Sequence, residues 1–198
     1  MKGEKGERRR KELLGIAYRM FSEKGYENTS IDDIIAEAGI AKGTYYYHFP
    51  SKEATLEAVI DMMLKEEAER AQAAADSELP VPQKMVAVIC ALRPEQSEQP
   101  IADALESNEN ALLHHKLKKR LLDVVVPPLA QVVREGVAQG IFNCGQVEER
   151  VKMILGISMQ MFDDYNYTEN DVIVFIDMVE KAFGAEEGTM GFVRELIR

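Results

Sequence analysis

The sequence has no tryptophan, and only two of its 198 residues are cysteines. Cys90 and Cys144 are far apart and form no CxxC pair, which argues against the disulfide framework of small secreted domains and fits a reducing cytoplasm. Proline is also scarce, with 7 residues, so collagen-like and proline-rich classes are excluded. These shortages leave an ordinary globular protein as the expected class.

Long apolar runs are missing too. Apolar runs such as Val124–Val126 and residues 153–158 are far shorter than the ~20 residues that a membrane-spanning helix needs. Met1 leads directly into charged residues, without the apolar stretch of a secretory signal. We therefore expect a cytoplasmic protein with no membrane partner.

Acidic residues outnumber basic ones, and the excess is unevenly distributed. The net charge is −10, but residues 1–52 carry 10 Lys and Arg against 8 Asp and Glu, whereas residues 53–198 carry 14 against 26. Only the first part, with its basic start, is suited to meet a polyanion. The acidic remainder is typical of a soluble surface, and 46% hydrophobic residues suffice for a folded core.

Apolar residues recur at the helical spacing of i, i+3, i+4 and i+7 along the whole chain, and alternation with period two is nowhere sustained. We therefore predict an all-α protein of about nine helices. The first helix ends at Gly25, because glycine takes a left-handed cap without steric cost. Ser30 caps a second helix that ends at Gly39, a third covers residues 42–49, and a long fourth runs from residue 51 to about 75.

The stretch 76–82 contains two prolines and is the best domain boundary. The predicted domains are residues 1–52, with the long helix 51–75 leading out of them, and residues 76–198. The later helical blocks are about residues 83–92, 101–107, 109–139, 146–164 and 168–184. The pair Pro127-Pro128 falls inside the third of these blocks and is expected to kink or split it.

Residues 30–49 form one unit of helix, tight turn and second helix. The turn passes through Gly39-Ile40, and the second helix begins near Lys42. This arrangement is typical of the helix-turn-helix, which places its second helix in the major groove of DNA. That helix is rich in groups that donate hydrogen bonds or stack, and poor in aliphatic residues. Within it, Gly43 would let a sugar-phosphate backbone approach closely.

The residues around this unit carry a denser pattern. They are Phe21-Ser22-Glu23-Lys24-Gly25-Tyr26, Thr29-Ser30, Ile34, Ala38-Gly39-Ile40 and residues 42–53, which read KGTYYYHFPSKE. Over about residues 8–66 this pattern resembles the TetR family of bacterial transcriptional regulators. The rest of the chain is similar to the family only in length, helical content and order of elements.

The resemblance implies an N-terminal three-helix helix-turn-helix domain that binds DNA, followed by a C-terminal helical domain that dimerises and binds an effector. The implied function is a ligand-responsive transcriptional regulator, most often a repressor. It would bind a palindromic operator in double-stranded DNA as a homodimer and be released by a small-molecule effector. The resemblance identifies neither the effector nor its pocket, and it implies no metal or other cofactor.

Carried over by position, the resemblance assigns DNA contacts to nine residues. They are Thr29, Ser30, Lys42, Gly43, Thr44, Tyr46, Tyr47, His48 and Lys52. Thr29 and Ser30 would contact phosphates. Six of the residues, from Lys42 to His48, would reach bases or backbone from the recognition helix, and Lys52 would contact the backbone from the fourth helix. Two positions depart from the family pattern. Ala41 stands where a hydroxyl is frequent, so either a helix cap or a phosphate contact is expected to be missing. Tyr45 stands where an inward leucine is usual, so we expect it in the core.

Other features admit two interpretations. The run Arg8–Lys11 either binds phosphates through the first helix or is a solvated helix start. The side chains of His114 and His115 point about 100° apart on a helix, so they would not chelate one metal ion. Because the sequence shows no nucleophile–base motif, phosphate loop or metal spacing, we expect no enzyme. An alternative function keeps the DNA-binding head and makes the body a protein-interaction platform without a small-molecule effector.

Two late helical blocks are amphipathic, and we expect them to pair with the same blocks of a second copy in a four-helix interface. They span about residues 147–164 and 168–183. Their apolar faces carry Val151, Ile154, Leu155, Ser158 and Phe162 on the first block, and Val172, Phe175, Ile176, Val179 and Phe183 on the second.

Overall fold

The computed structural model describes residues 2–92, 97–106, 111–162 and 166–197, with side chains except at residues 2–4, 105–106 and 111–118. Within these ranges all regular structure is helical, which confirms the predicted fold class. The ten helices found there are α1 (Lys2–Lys24), α2 (Ile31–Ala38), α3 (Lys42–His48), α4 (Lys52–Ala75), α5 (Val81–Cys90), α6 (Gln99–Glu106), α7 (Ala111–Ala138), α8 (Val147–Met161), α9 (Glu169–Phe183) and α10 (Val193–Ile197). Of the helices in the described part, none is long and apolar enough to cross a bilayer.

The predicted ends of the first helices are confirmed. Gly25 follows α1 with φ +82°, and Gly39 follows α2 with φ +61°, a left-handed conformation that favours glycine. The amide of Gly39 donates back to the carbonyls of Ala36 and Ile35, which closes the last turn of α2. The chain can therefore turn sharply from α2 into α3.

The proline pair does not split its helix. Helix α7 runs from Ala111 to Ala138 with Pro127 and Pro128 inside it. Each proline removes one intrahelical hydrogen bond. The turns around the pair bury Val125, Leu129 and Ala130 in the protein interior, and this packing stabilises the helix on both sides of the interruption.

The chain divides into two compact units. The first comprises Met1–Leu64 and Pro94–Leu117, and the second comprises Lys65–Arg93 and Lys118–Arg198. One boundary therefore lies within α4, and α6 belongs to the first unit although it follows α5 in the chain.

The core of the first unit is built from α1 to α4 and α6. Its largest fully buried side chains are Leu13, Phe21, Ile34, Tyr45, Phe49, Leu56 and Ile101. The rings of Phe21 and Tyr26 meet edge to face at 5.2 Å between centroids. Helix α6 packs against α1, and the Tyr18 hydroxyl on α1 donates to the Glu98 carboxylate at 3.2 Å.

The second unit has its own core, drawn from α4, α5 and α7 to α10. Its buried members include Val81, Met85, Leu129, Val133, Val151, Phe175, Val179 and Phe183. A partly buried ion pair joins the buried Lys84 on α5 to the half-buried Glu135 on α7 at 2.7 Å. Because a buried charge without a partner is costly, Glu135 allows the Lys84 ammonium to lie in the interior.

The apolar faces predicted for subunit pairing lie largely inside the second unit. Of these residues, Val151, Val172, Phe175, Val179 and Phe183 are buried, and the others are half-buried against the same core. The unit uses these faces for its own interior, so that part of the prediction was wrong. A different set of aliphatic side chains on the two helices is exposed: Met153, Ile157 and Met161 on α8, and Ile173 and Val174 on α9. We call these five residues the exposed stripe.

Candidate nucleic-acid interface

Helix α2 begins with a complete capping box. The Asp33 amide donates to the Ser30 hydroxyl at 3.1 Å, and the Ser30 amide donates to the Asp33 carboxylate at 2.9 Å. The Ser30 hydroxyl also donates to that carboxylate at 2.6 Å. These hydrogen bonds lower the pKa of Asp33. Ser30 is exposed at the start of the helix, where a phosphate could reach it, and its predicted phosphate contact stays a prediction.

Thr29 is placed differently from its prediction. Its side chain is fully buried, and its hydroxyl lies within donor distance of the Gly25 carbonyl at 2.9 Å and the Met20 carbonyl at 3.3 Å. Its amide donates to the Tyr26 carbonyl at 3.1 Å. Thr29 therefore joins the end of α1 to the start of α2, and in this arrangement it has no polar group free for a phosphate.

Helix α3 presents an unusual mixture to solvent. Tyr47 is 82% exposed and Tyr46 is 43% exposed, although both carry large aromatic rings. The Tyr47 ring meets the half-buried His48 ring edge to face at 5.0 Å between centroids. Gly43 is exposed, and a Cβ atom built on it would meet nothing within 4 Å. The surface of α3 therefore offers phenol hydroxyls, an imidazole and open backbone.

Tyr45 is the exception on this helix, and its predicted inward position is confirmed. It is fully buried, and its hydroxyl lies 2.5 Å from the hydroxyl of Thr55 on α4. Because Thr55 donates its own proton to the Ser51 carbonyl at 3.1 Å, Tyr45 is the donor in this pair. Burial raises the pKa of Tyr45. The missing cap at Ala41 is also confirmed, since α3 begins there without a side-chain hydrogen bond.

Two lysines flank the exposed aromatics. Lys42 is exposed and donates to the Asp32 carboxylate at 3.0 Å, which raises the pKa of the lysine. A surface ion pair of this kind contributes little stability, so a phosphate can replace Asp32 at small cost. The Lys52 ammonium lies 4.1 Å from the centroid of the Tyr26 ring, a cation–π contact that fixes it at the start of α4.

A basic groove lies beside α3. It has a volume of about 630 Å³ and is lined by Lys5, Arg8, Arg9 and Glu12 of α1, with Thr44 and Tyr47 of α3. Arg9 pairs with Glu12 at 2.9 Å. Arg10, in contrast, points elsewhere and lies over the Phe49 ring at 5.0 Å.

The groove shows what the sequence interpretation missed. Lys5 was not singled out, although residues 5, 8, 9 and 12 have the i, i+3, i+4 and i+7 spacing of one helix face. The structure brings together the exposed residues Ser30, Lys42, Gly43, Tyr46 and Tyr47, with Thr44 and His48 half-buried on the same helix and Lys52 at the next.

The comparison with known proteins agrees with this geometry. Residues 13–59 match the model of the family described as bacterial regulatory proteins, tetR family. The chain has the amino-terminal domain of the tetR family. The resemblance seen in the sequence is thereby confirmed, and the matched residues run from α1 through α2 and α3 into the start of α4.

A repressor matches the tetR-family domain alone. The HTH-type transcriptional repressor KstR2 of Mycolicibacterium smegmatis is 46% identical over 52 residues, which are 26% of this chain and 25% of that protein. The chain thus spans about a quarter of the length of the curated relatives it matches.

Solved structures match nearly the whole chain. A TetR-family transcriptional regulator from Pectobacterium atrosepticum has a TM-score of 0.64 at 25% identity, covering 98% of this chain and 90% of its own. RolR, solved in complex with the ligand resorcinol, has a TM-score of 0.62 at 18% identity, covering 98% and 95%. The second similarity is one of fold only.

Metal binding finds no support in the described part of the chain. Within it, no three His, Cys, Asp or Glu side chains are grouped so that they could hold a metal ion. The side chains of His114 and His115 lie outside the described residues.

Proposed function

We propose that this chain is a DNA-binding transcriptional regulator that acts as a repressor on a palindromic operator. The observation that carries the proposal is the surface of α3, where Tyr47 is 82% exposed next to Lys42 and Gly43. Large aromatic rings that are exposed to this extent on so short a helix are typical of a surface that a partner covers. The named function of the repressor KstR2, which is similar over the same helices, supports this choice.

The chemistry of the surface fits duplex DNA. Lysine, hydroxyl and helix-start groups bind phosphates and fix the register, and phenol and imidazole groups reach base edges in the major groove. The remainder of the chain is strongly acidic, so the cations of α1 and α3 are concentrated where the polyanion would bind.

The direct test is selection of bound sequences from random duplex DNA with the full chain. We expect enrichment of one inverted repeat, with half-sites about one DNA turn or ~34 Å apart. Tyr47→Ala is expected to abolish the enrichment, and Lys11→Ala, an exposed change on α1 outside the groove, to leave it intact. Failure of the parent chain to enrich any sequence would contradict the proposal.

The operator symmetry requires two copies of the reading helix, and the exposed stripe supplies a surface for pairing. Met153 is 67% exposed and Val174 is 64% exposed, and neither is needed for the core of the second unit. We place the twofold interface of a homodimer on α8 and α9 at this stripe. The predicted helices are retained, but the residues that would meet are different.

Release from DNA by a small molecule completes the proposal. RolR, a protein of similar fold, has been solved with resorcinol. Helix α4 starts close after α3 in the chain and continues into the second unit, so it is the covalent connection through which an effector would act. Coupling of this type amounts to about 1–3 kcal/mol, or about 5–150-fold in affinity. Titrating operator DNA with and without a molecule extracted from the purified protein tests this part, and equal affinities would remove it.

A further inference from the structure

The second unit contains a small apolar cavity. Its volume is about 100 Å³, and its walls come from α5, α7, α8, α9 and the segment 190–197. Among the described residues that line it, Ser158 supplies the one polar side chain, and the others are aliphatic, aromatic or methionine. No charged side chain of the described part of the chain lines this space.

The composition of the walls defines what the cavity can accept. An ion would lose its hydration there without a partner, which costs far more than apolar contacts return. The rings of Phe175, Phe183 and Phe192 border the space and favour another ring in edge-to-face contact. An apolar cavity of about 150 Å³ in another protein stays dry and binds benzene. A ligand of one aromatic ring therefore needs about half as much room again as this cavity has, so it would enter only if one wall moves outward.

One wall is built differently from the rest. The segment 190–197 contributes Phe192, Val193, Leu196 and Ile197 to the lining. The other walls belong to helices of ten or more residues, whereas this segment contains only the five-residue helix α10.

Polar contacts hold the segment in place along its length. The Met190 amide donates to the buried Glu180 carboxylate at 2.9 Å, and the Tyr167 hydroxyl donates to the Ile197 carbonyl at 3.0 Å. Arg194 pairs with Glu169 at the surface. The segment is therefore attached at both ends and between them, but because a five-residue helix depends on such contacts for its position, we expect this wall to move more readily than the long helices.

We propose that this cavity binds a neutral single-ring aromatic molecule, and that the segment 190–197, through Phe192, sets the upper limit of ligand size. The inference rests on the proposed function in that such a ligand would be the effector. The cavity itself lies wholly within the second unit, so its occupancy can be measured without DNA.

The test uses toluene and naphthalene as probes, with the full chain and isothermal titration calorimetry. We expect saturable binding of one toluene per chain and little binding of naphthalene. Phe192→Ala removes one ring from the wall and is expected to bind naphthalene about tenfold more tightly than the parent chain does. Leu155→Phe fills the cavity from α8 and is expected to abolish toluene binding.

Gln160→Ala is the matched control, because Gln160 is exposed on the same helix as Leu155 but lines neither the cavity nor the exposed stripe. Toluene affinity is expected to stay unchanged in this variant. Loss of toluene binding in Gln160→Ala, or its persistence in a folded Leu155→Phe, would place the probe elsewhere and overturn the proposal. If Leu155→Phe does not fold, the naphthalene result for Phe192→Ala decides, and no gain in that variant also overturns it.

The outcome is separable from that of the proposed function. A parent chain that binds operator DNA but no toluene refutes the cavity proposal alone. A chain that binds toluene but selects no DNA sequence refutes the proposed regulator and leaves the cavity assignment standing.

Discussion

Helix α3 in the first unit and the pair α8–α9 in the second both expose large apolar or aromatic side chains, but of opposite chemistry. On α3 the exposed groups are phenols beside cations, and on α8 and α9 they are aliphatic and thioether groups. In each unit the core is formed by other, buried residues, and these exposed side chains are not part of it. The comparison explains why we propose different partners: the phenols and cations of α3 suit a polyanion, whereas the aliphatic and thioether groups of α8 and α9 suit a second protein surface.

The largest effect is expected from charging the exposed stripe. Met153→Glu with Ile157→Glu places four carboxylates at the proposed twofold interface of two copies, where desolvation and like-charge repulsion would oppose pairing. The dissociation constant of the dimer is expected to rise by about 100-fold or more, and light scattering at micromolar concentration should report the mass of one chain. Lys119→Glu, an exposed change on α7, is the control and should leave two chains together. A parent chain that is already monomeric would contradict the assignment of this surface.

The next effect concerns the exposed phenol of α3. Tyr47→Ala is expected to weaken operator binding by about tenfold or more, because a good base-edge contact contributes about 1–3 kcal/mol. Fluorescence anisotropy with labelled operator measures the change, and the melting temperature should stay close to that of the parent chain. An equal loss of affinity for operator and random DNA would indicate a backbone contact instead of base recognition.

Tyr45, the buried tyrosine of the same helix, should affect the stability of the fold and not the affinity for DNA. Tyr45→Phe removes the donor to Thr55 from a buried pair, and the free energy of unfolding is expected to fall by about 1 kcal/mol. Urea denaturation measures this change. Because Tyr45 is not at the surface, DNA affinity at a temperature where both proteins are folded should change little. A large loss of DNA affinity in a stable Tyr45→Phe protein would contradict the assignment of a structural role to Tyr45 and a DNA-binding role to Tyr47.

A smaller effect tests the basic groove. Arg8→Ala removes one exposed cation that lines it, and each lost phosphate contact reduces the slope of log K against log salt by about 0.9 on duplex DNA. The loss of affinity should be the same for operator and random sequences, since phosphates carry no sequence information. Lys11→Ala removes an equally exposed cation outside the groove, and its slope should match that of the parent chain.

The smallest effect compares two capping boxes, one in each unit. Ser30 with Asp33 and Thr168 with Asp171 have the same hydrogen bonds, and in both pairs these bonds lower the pKa of the aspartate. A lowered pKa in the folded state stabilises the fold above the unfolded pKa of about 4, and this contribution is lost as the pH falls through the folded value.

Denaturation of Ser30→Ala and Thr168→Ala against pH measures this contribution. Both variants should differ most from the parent chain near neutral pH and approach it in acid. Only Ser30→Ala should also weaken DNA binding. A loss of DNA affinity in both would indicate a general effect of helix stability.

Much of the first unit could be predicted because its signals are local. The cap at Ser30 with Asp33 and the turn at Gly39 follow from backbone chemistry within a few residues. The inward position of Tyr45 and the missing cap at Ala41 followed from the family resemblance. The burial of Thr29 could not be predicted in this way, because a hydroxyl suits a phosphate and a carbonyl equally well. Only the packing of α1 against α2 decides between them.

The second unit was less predictable because its decisive signals are not local. Periodicity correctly gives α8 and α9 an apolar face, but a face centred on Val151 or Phe175 suits an interior and an interface alike. The structure shows that the core of the unit buries those residues and that the exposed stripe, with Met153 and Val174, remains at the surface. The continuity of α7 through Pro127 and Pro128 likewise depends on the packing of neighbouring residues. The rule that proline interrupts a helix does not include that packing.

The hydroxyl pair of Tyr45 and Thr55 has a consequence for how DNA would be read. A helix of seven residues is too short to hold its own orientation in water. Tyr45, in the middle of α3, is hydrogen-bonded to Thr55 near the start of α4. The longer helix α4 therefore sets the rotation of α3 about the axis of α3. The angle at which Tyr46 and Tyr47 enter a groove is therefore a property of α4, and a twist there would change which bases they meet before any DNA contact is lost.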